Sequence, residues 1–273
     1  MIPVVTVPYP GFNYIKNNLD GYLDRLLAGE IIAFRGANCS TEEQLDIMIM
    51  LGDIFGWSPN SISHEDPMYY ETHHDSMDET TTNSKEALML SWHVEHVGFE
   101  NELYAGACWC MNLFKTDPDA GKTLFVDIVK VFESLSDEDQ KLLLGAEVGL
   151  KPFNELDYKV GTYKFVRNHW ATDKKLIRPV LNSSHETVLV SVDGAPPTEQ
   201  DTKNFNRIFT FILDEVFFNE DIRYEHAWEE GDMLLLDVSR MAHAVTGGFK
   251  QGERKLTGIF GTIAVKDEDH VEL

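Results

Sequence analysis

Apolar runs too short for helices, set between turns rich in Gly, Pro and Asp, dominate this chain. Residues 30–36 (Glu-Ile-Ile-Ala-Phe-Arg-Gly) read as a strand closed by glycine. Residues 87–92, 103–114, 122–126, 163–166, 187–192, 224–228, 233–237 and 255–265 read as further strands. Helical spacing is confined to a few stretches. One covers 19–28 and is broken by Gly29. Another opens at Ser40-Thr41-Glu42-Glu43, a capping box, and carries Leu45, Met48, Leu51 and Phe55 along one side. A short helix begins at 128–132, Ser136-Asp137-Glu138-Asp139 caps the next, and Thr198-x-x-Asp201 opens the longest, to about Phe218.

Strands between helices, with such turns, predict an α+β fold: a distorted jelly roll (double-stranded β-helix, cupin-like) with flanking helices. A doubly wound sheet would also alternate strands and helices. It would need a glycine-rich phosphate loop between a strand and a helix, and Gly247-Gly248 follows the wrong element. Those glycines instead predict an antiparallel return between the strand before them and the strand starting at Arg254. No repeat or linker interrupts residues 1–273, which read as one domain. Residues 58–85 are polar and aperiodic, and a stretch that long inside a domain predicts an active-site lid. His73-His74-Asp75 within it reads as exposed loop rather than a second metal site.

Composition narrows the partners. A formal net charge of −23 repels phosphate backbones and anionic lipid, which argues against nucleic acid and membranes. No apolar run approaches a membrane span and no basic leader precedes the first strand, so the expected location is cytoplasmic. Three cysteines, Cys39, Cys108 and Cys110, fit a reducing compartment; Cys108 and Cys110 read as buried thiols on one strand face. A small-molecule substrate is the expected partner, and association into a homo-oligomer is left open.

The candidate chemistry starts at Ser91-Trp92-His93-Val94-Glu95-His96. His93 and Glu95, two apart on an extended segment, leave the same face of the backbone. An imidazole and a carboxylate are two-thirds of the two-His-one-carboxylate face that non-haem Fe(II) oxygenases use. His243, 148 residues beyond Glu95, follows a buried strand and is a candidate third ligand. On the last strand Arg254, Leu256, Gly258, Phe260 and Thr262 share one face. If that face is interior it carries a single guanidinium, whose fork suits a carboxylate that no residue of the strand supplies. A bound dicarboxylate would supply it.

The order Trp92-His93-Val94-Glu95, Gly121-Lys122-Thr123, Trp228-Glu229-Glu230-Gly231-Asp232, Asp237-x-x-Arg240-x-x-His243 and Arg254 resembles the taurine dioxygenase family of Fe(II)/2-oxoglutarate enzymes. So do the 30–36 strand with its Ser40 helix, and Arg178-Pro179-Val180 followed by His185-Glu186-Thr187. The resemblance spans nearly the whole chain. It implies that His93, Glu95 and His243 hold iron, and that Thr123 and Arg254 hold the distal carboxylate of 2-oxoglutarate. It also implies that O2 completes the coordination, with succinate and CO2 as coproducts of an oxidised C–H bond. Trp92, His96 and Arg240 are the nearby candidates for substrate contact.

Two departures refine the expectation. The acidic ligand is Glu95 where the taurine branch has Asp, which is similar to clavaminate synthase and to amino-acid hydroxylases of peptide-antibiotic pathways. A carboxylate there also disfavours a halogenase. Four residues after Arg254, where the taurine branch has a sulfonate-gripping arginine, stands Gly258. The expected reaction is therefore hydroxylation of a free amino acid or related amine. The rivals are a catabolic dioxygenase releasing sulfite or an aldehyde from a sulfonate, phosphonate or amine, a zinc hydrolase using the same three ligands, and a non-catalytic binding protein on the same fold.

Overall fold

Alternation of side chains along the central strands organises the whole structure, a computed structural model that describes residues 2–55, 69–72, 88–95, 102–152, 162–181, 185–250 and 252–264. The larger sheet has strand order β1-β2-β13-β5-β15-β3, formed by β1 (Val4–Pro8), β2 (Ile31–Arg35), β13 (Met233–Leu236), β5 (Glu102–Phe114), β15 (Arg254–Ala264) and β3 (Tyr69–Thr72). The smaller has order β12-β6-β14-β4, formed by β12 (Tyr224–His226), β6 (Thr123–Asp127), β14 (Met241–Thr246) and β4 (Leu88–His93). These are the sheets of the expected jelly roll.

Alternate positions part from Ala107 onward in β5, whereas Ala105, beside a register shift in the β5–β15 pairing, joins the opposite core. Ala107, Trp109 and Met111 of β5, Leu234 and Leu236 of β13, and Leu256 and Phe260 of β15 join Phe125 and Met241 of the smaller sheet in one buried core. Their neighbours Cys108, Cys110, Met233, Leu235 and Ile259 point the other way, under α3 (Thr41–Phe55). There Gln44 of α3, fully buried, donates through Nε2 to Thr257 Oγ1 at 3.1 Å. The period of two read from the sequence therefore has its expected physical content: one face to the barrel, the other to a helix. All three cysteines are buried free thiols.

The outer face of the smaller sheet is covered by α4 (Ile128–Glu133), α5 (Asp137–Gly145) and α6 (Glu199–Phe218), which pack on Leu124, Val126, Ala242 and Ala244. The Thr198–Asp201 capping box is formed as expected, and Ser136 caps α5. The β7 (Ala146–Pro152) and β10 (Lys175–Ile177) strands were not expected from the sequence. Among the described residues no helix is long and apolar enough to cross a membrane.

One expectation needs correction. The Gly247-Gly248 segment does not return the chain as a hairpin. β14 lies in the smaller sheet and β15 in the larger, so the chain crosses the barrel there, with Gly248 at φ 89°. Arg254 thus enters on the opposite wall from His243 rather than beside it. Part of the 58–85 segment is strand: β3 pairs with β15 in the register Gly258↔Tyr70. Residues 56–68 and 73–87, with His73-His74-Asp75, lie outside the described residues.

Candidate metal centre and its surroundings

Backbone register alone brings the two histidines together. His243 on β14 pairs directly with His93 at the end of β4, and on its other side with Phe125 of β6. The imidazole centroids are 4.0 Å apart. Glu95 follows β4 by two residues, and its Oε1 lies 3.9 Å from His93 Nε2 and 3.5 Å from His243 Nε2. One ligating atom from each of the three fits within 4.8 Å of the others.

The tautomers are set from behind. His93 Nδ1 lies 2.8 Å from the Ser91 carbonyl and His243 Nδ1 lies 3.0 Å from the Met241 carbonyl. A carbonyl only accepts, so each Nδ1 carries the hydrogen and each Nε2 turns a lone pair toward Glu95. Burial, and then the proximity of His243, push the His93 pKa down to about 4, against the opposing Ser91 carbonyl and Glu95 carboxylate. The ring is neutral at neutral pH and ready to ligate. His243 is held by aromatic walls: Trp109 at 5.1 Å and Phe125 at 6.1 Å between centroids. A carboxylate and two imidazoles converging on one point form a borderline, N/O donor set suited to a divalent transition metal.

Further along the same interior lie Thr123 and Arg254. Thr123 shares the inward face of β6 with Phe125, whose register partner is His243. That makes Thr123 a diagonal neighbour of His243, roughly 7–8 Å away at the backbone. It is 2% exposed and accepts a hydrogen bond from Trp228 Nε1 at 2.9 Å. Arg254 is also 2% exposed, with Cζ 5.6 Å over the Phe249 ring. The two share Gly121 as a neighbour. A Cβ there would stand 3.3 Å from Arg254 Cδ and 3.1 Å from Phe249, and Gly121 lies two residues before Thr123 at φ +61°.

The candidates for substrate contact fare differently. Trp92 belongs to the helix-side core, edge-on to Phe217 at 6.3 Å, because adjacent strand positions face opposite ways and His93 has the inner one. Arg240 is a structural cation. Its Nη2 and Nε donate to the two oxygens of Asp127 at 2.6 and 3.2 Å, and its Nη1 donates to the Leu27 carbonyl at 3.2 Å. Asp127 also caps α4 by accepting from Val129 N–H. His96 lies outside the described residues.

Both charges of the Arg240–Asp127 pair are buried, at 3% and 2% exposure. Arg240→Leu would strand the carboxylate, and is expected to cost about 3–5 kcal/mol of folding free energy in chemical denaturation. Substrate saturation of the folded enzyme should not move. The spaced polar residues around His243 resolve the same way. Asp237 receives His169 Nε2 at 2.5 Å and Ser239 Oγ at 2.6 Å, locking the turn that leads into β14. Sequence reading missed this buried pair, since 68 residues separate its members.

A family model described as taurine catabolism dioxygenase TauD, TfdA family, matches residues 3–260. Among solved structures, the chain is similar to a protein assigned as an alpha-ketoglutarate-dependent taurine dioxygenase from Burkholderia xenovorans. The TM-score is 0.67 and the identity 13%, over 99% of this chain and 91% of that one. A taurine dioxygenase from the same organism matches with TM-score 0.67 and 15% identity, over 99% and 90% of the respective chains. At such identities the likeness carries fold, not substrate. No curated protein sequence matches.

Proposed function

The chain belongs to the TauD/TfdA family of dioxygenases, enzymes that use Fe(II), 2-oxoglutarate and O2, and from that premise we propose that it hydroxylates a C–H bond of a free amino acid or related amine. In this reading His93, Glu95 and His243 hold the iron. The observation that carries it is the convergence of two Nε2 atoms and one carboxylate oxygen within 4.8 Å. Thr123 and Arg254 take the distal carboxylate of 2-oxoglutarate, supported by their burial on the same interior. When bound, the iron would let O2 act as the oxidant with 2-oxoglutarate as co-reductant, one oxygen atom going to succinate as CO2 leaves and the other to the substrate C–H bond.

The protein's own tasks are orientation and exclusion of water. The Ser91 and Met241 carbonyls keep both histidines in the ligating tautomer. Trp109 and Phe125 wall the His243 ring, and Arg254 presents a fork that meets a carboxylate through two parallel N–H groups. Dry walls strengthen each of these electrostatic contacts.

The substrate class rests on Glu95 and Gly258. Gly258 occupies the inward-facing course of β15 between its register partners Trp109 and Tyr70, so no second cation stands four residues after Arg254. A sulfonate held there would lack its counter-charge, whereas a bulkier or zwitterionic group gains room. The test is a screen of amino acids, amines, sulfonates and phosphonates, recording 2-oxoglutarate decay, succinate yield and product mass. An amino acid gaining one oxygen, with succinate formed one-to-one, is the expected result. Release of sulfite or an aldehyde would instead identify the catabolic chemistry.

A further inference from the structure

Trp228 lies two residues past the end of β12, is 1% exposed, and donates through Nε1–H to Thr123 Oγ1 at 2.9 Å. Indole can only donate, so the direction of this bond is unambiguous. The hydroxyl thereby spends a lone pair on Trp228, and its own hydrogen must turn away from the indole N–H. What remains on the interior side is a hydroxyl preset to donate. Such a group suits an anionic oxygen and is poorly suited to a cation.

The indole is itself held on two sides. His226, fully buried, is the register partner of Thr123 across β12 and β6 and stands edge-on to Trp228, 4.4 Å between centroids at 83°. Its Nδ1 is fixed by the Tyr224 hydroxyl at 2.8 Å. On the chain before the indole, Arg35 Nη1 donates to the Ala227 carbonyl at 3.0 Å, and Arg35 is ion-paired with Asp232. Glu229 N–H in turn donates to Asp232 at 2.8 Å, closing the Glu229–Asp232 turn just after Trp228.

We propose that Trp228 is a positioning residue for the cosubstrate: it orients the Thr123 hydroxyl so that its hydrogen is delivered to the distal carboxylate of 2-oxoglutarate. The inference rests on the assignment of Thr123 to that carboxylate. It adds a residue to the binding machinery that touches no ligand itself.

The test is a double-mutant cycle on the Fe(II)-loaded protein under anaerobic conditions, with 2-oxoglutarate binding read from the visible charge-transfer band. Trp228→Phe is expected to raise the half-saturating 2-oxoglutarate concentration about five- to tenfold, the weight of one buried hydrogen bond. Binding of pyruvate, a 2-oxo acid without the distal carboxylate, should stay within about twofold of the parent, and so should iron stoichiometry. Thr123→Ala combined with Trp228→Phe should bind no more weakly than Thr123→Ala alone, because the indole acts only through the hydroxyl. Replacing Trp228 by benzothienylalanine removes the N–H at nearly unchanged volume and should reproduce the phenylalanine result, which covers any folding loss in Trp228→Phe. If Thr123→Ala weakens binding but the Trp228 replacements do not, or if the two effects multiply, Trp228 is packing alone and the proposal is overturned while Thr123 stands. If Thr123→Ala leaves binding unchanged, the assignment of Thr123 fails and this inference with it.

Discussion

His243→Ala is expected to abolish iron retention and to lower turnover by at least about a thousandfold. Outer-shell changes at metal sites already cost about 10- to 100-fold, and this variant removes one of three donor atoms outright. His243 is also walled by Trp109 and Phe125, so alanine leaves a cavity, and loss of activity by itself could follow from loosened packing. His93→Ala separates the two effects. His93 has 30% side-chain exposure against 4% for His243, so little packing is lost there. Both variants should lose iron and activity together, while only His243→Ala should also lose thermal stability. Iron stoichiometry after anaerobic reconstitution, succinate formation and the melting temperature give the three readouts. Retention of stoichiometric iron by either variant would place the metal elsewhere.

Arg254→Leu is expected to raise the 2-oxoglutarate requirement about a hundredfold while sparing iron. Truncating one partner of a buried, hydrogen-bonded charge pair costs about 2–5 kcal/mol in binding, and a guanidinium at 2% exposure is in that regime. Arg254→Lys keeps the charge but not the planar fork, and should fall between, at about tenfold. The thermal shift produced by saturating 2-oxoglutarate measures the same thing without turnover: it should be large in the parent, reduced in Arg254→Lys and absent in Arg254→Leu. A full shift in Arg254→Leu would remove this residue from the cosubstrate site.

These experiments bear on side chains whose roles were readable to different degrees. The β15 alternation is the clearest case. Leu256 and Phe260 were expected on one face and Thr257 and Ile259 on the other, and the two pairs do face different cores. Period-two patterning works there because β15 is central and buried on both sides, so each face has to choose a core. The capping boxes at Ser40 and Thr198 were equally plain, since every group involved lies within four residues. Trp92 and Arg240 were named for closeness in sequence to a ligand, and the structure packs one in the helix-side core and pairs the other with Asp127. One strand step reverses a side chain, and a guanidinium goes to whichever buried carboxylate the fold brings nearest, here Asp127, 113 residues away. The hairpin expected at Gly247-Gly248 failed for a related reason. Paired glycines permit a reversal but do not specify which strand the chain pairs with next.

The sequence by itself determined most of the elements, the faces of the central strands, the donor types available for a metal, and through its spaced motifs the family. All of these depend on local geometry or on residue chemistry that travels with the chain. Only the tertiary structure decided that His93 and His243 stand opposite each other, that Arg240 belongs to Asp127, and that Trp228 reaches Thr123. Strand pairing is chosen by the burial of whole sheet faces, a collective free energy to which no single stretch of residues holds the key.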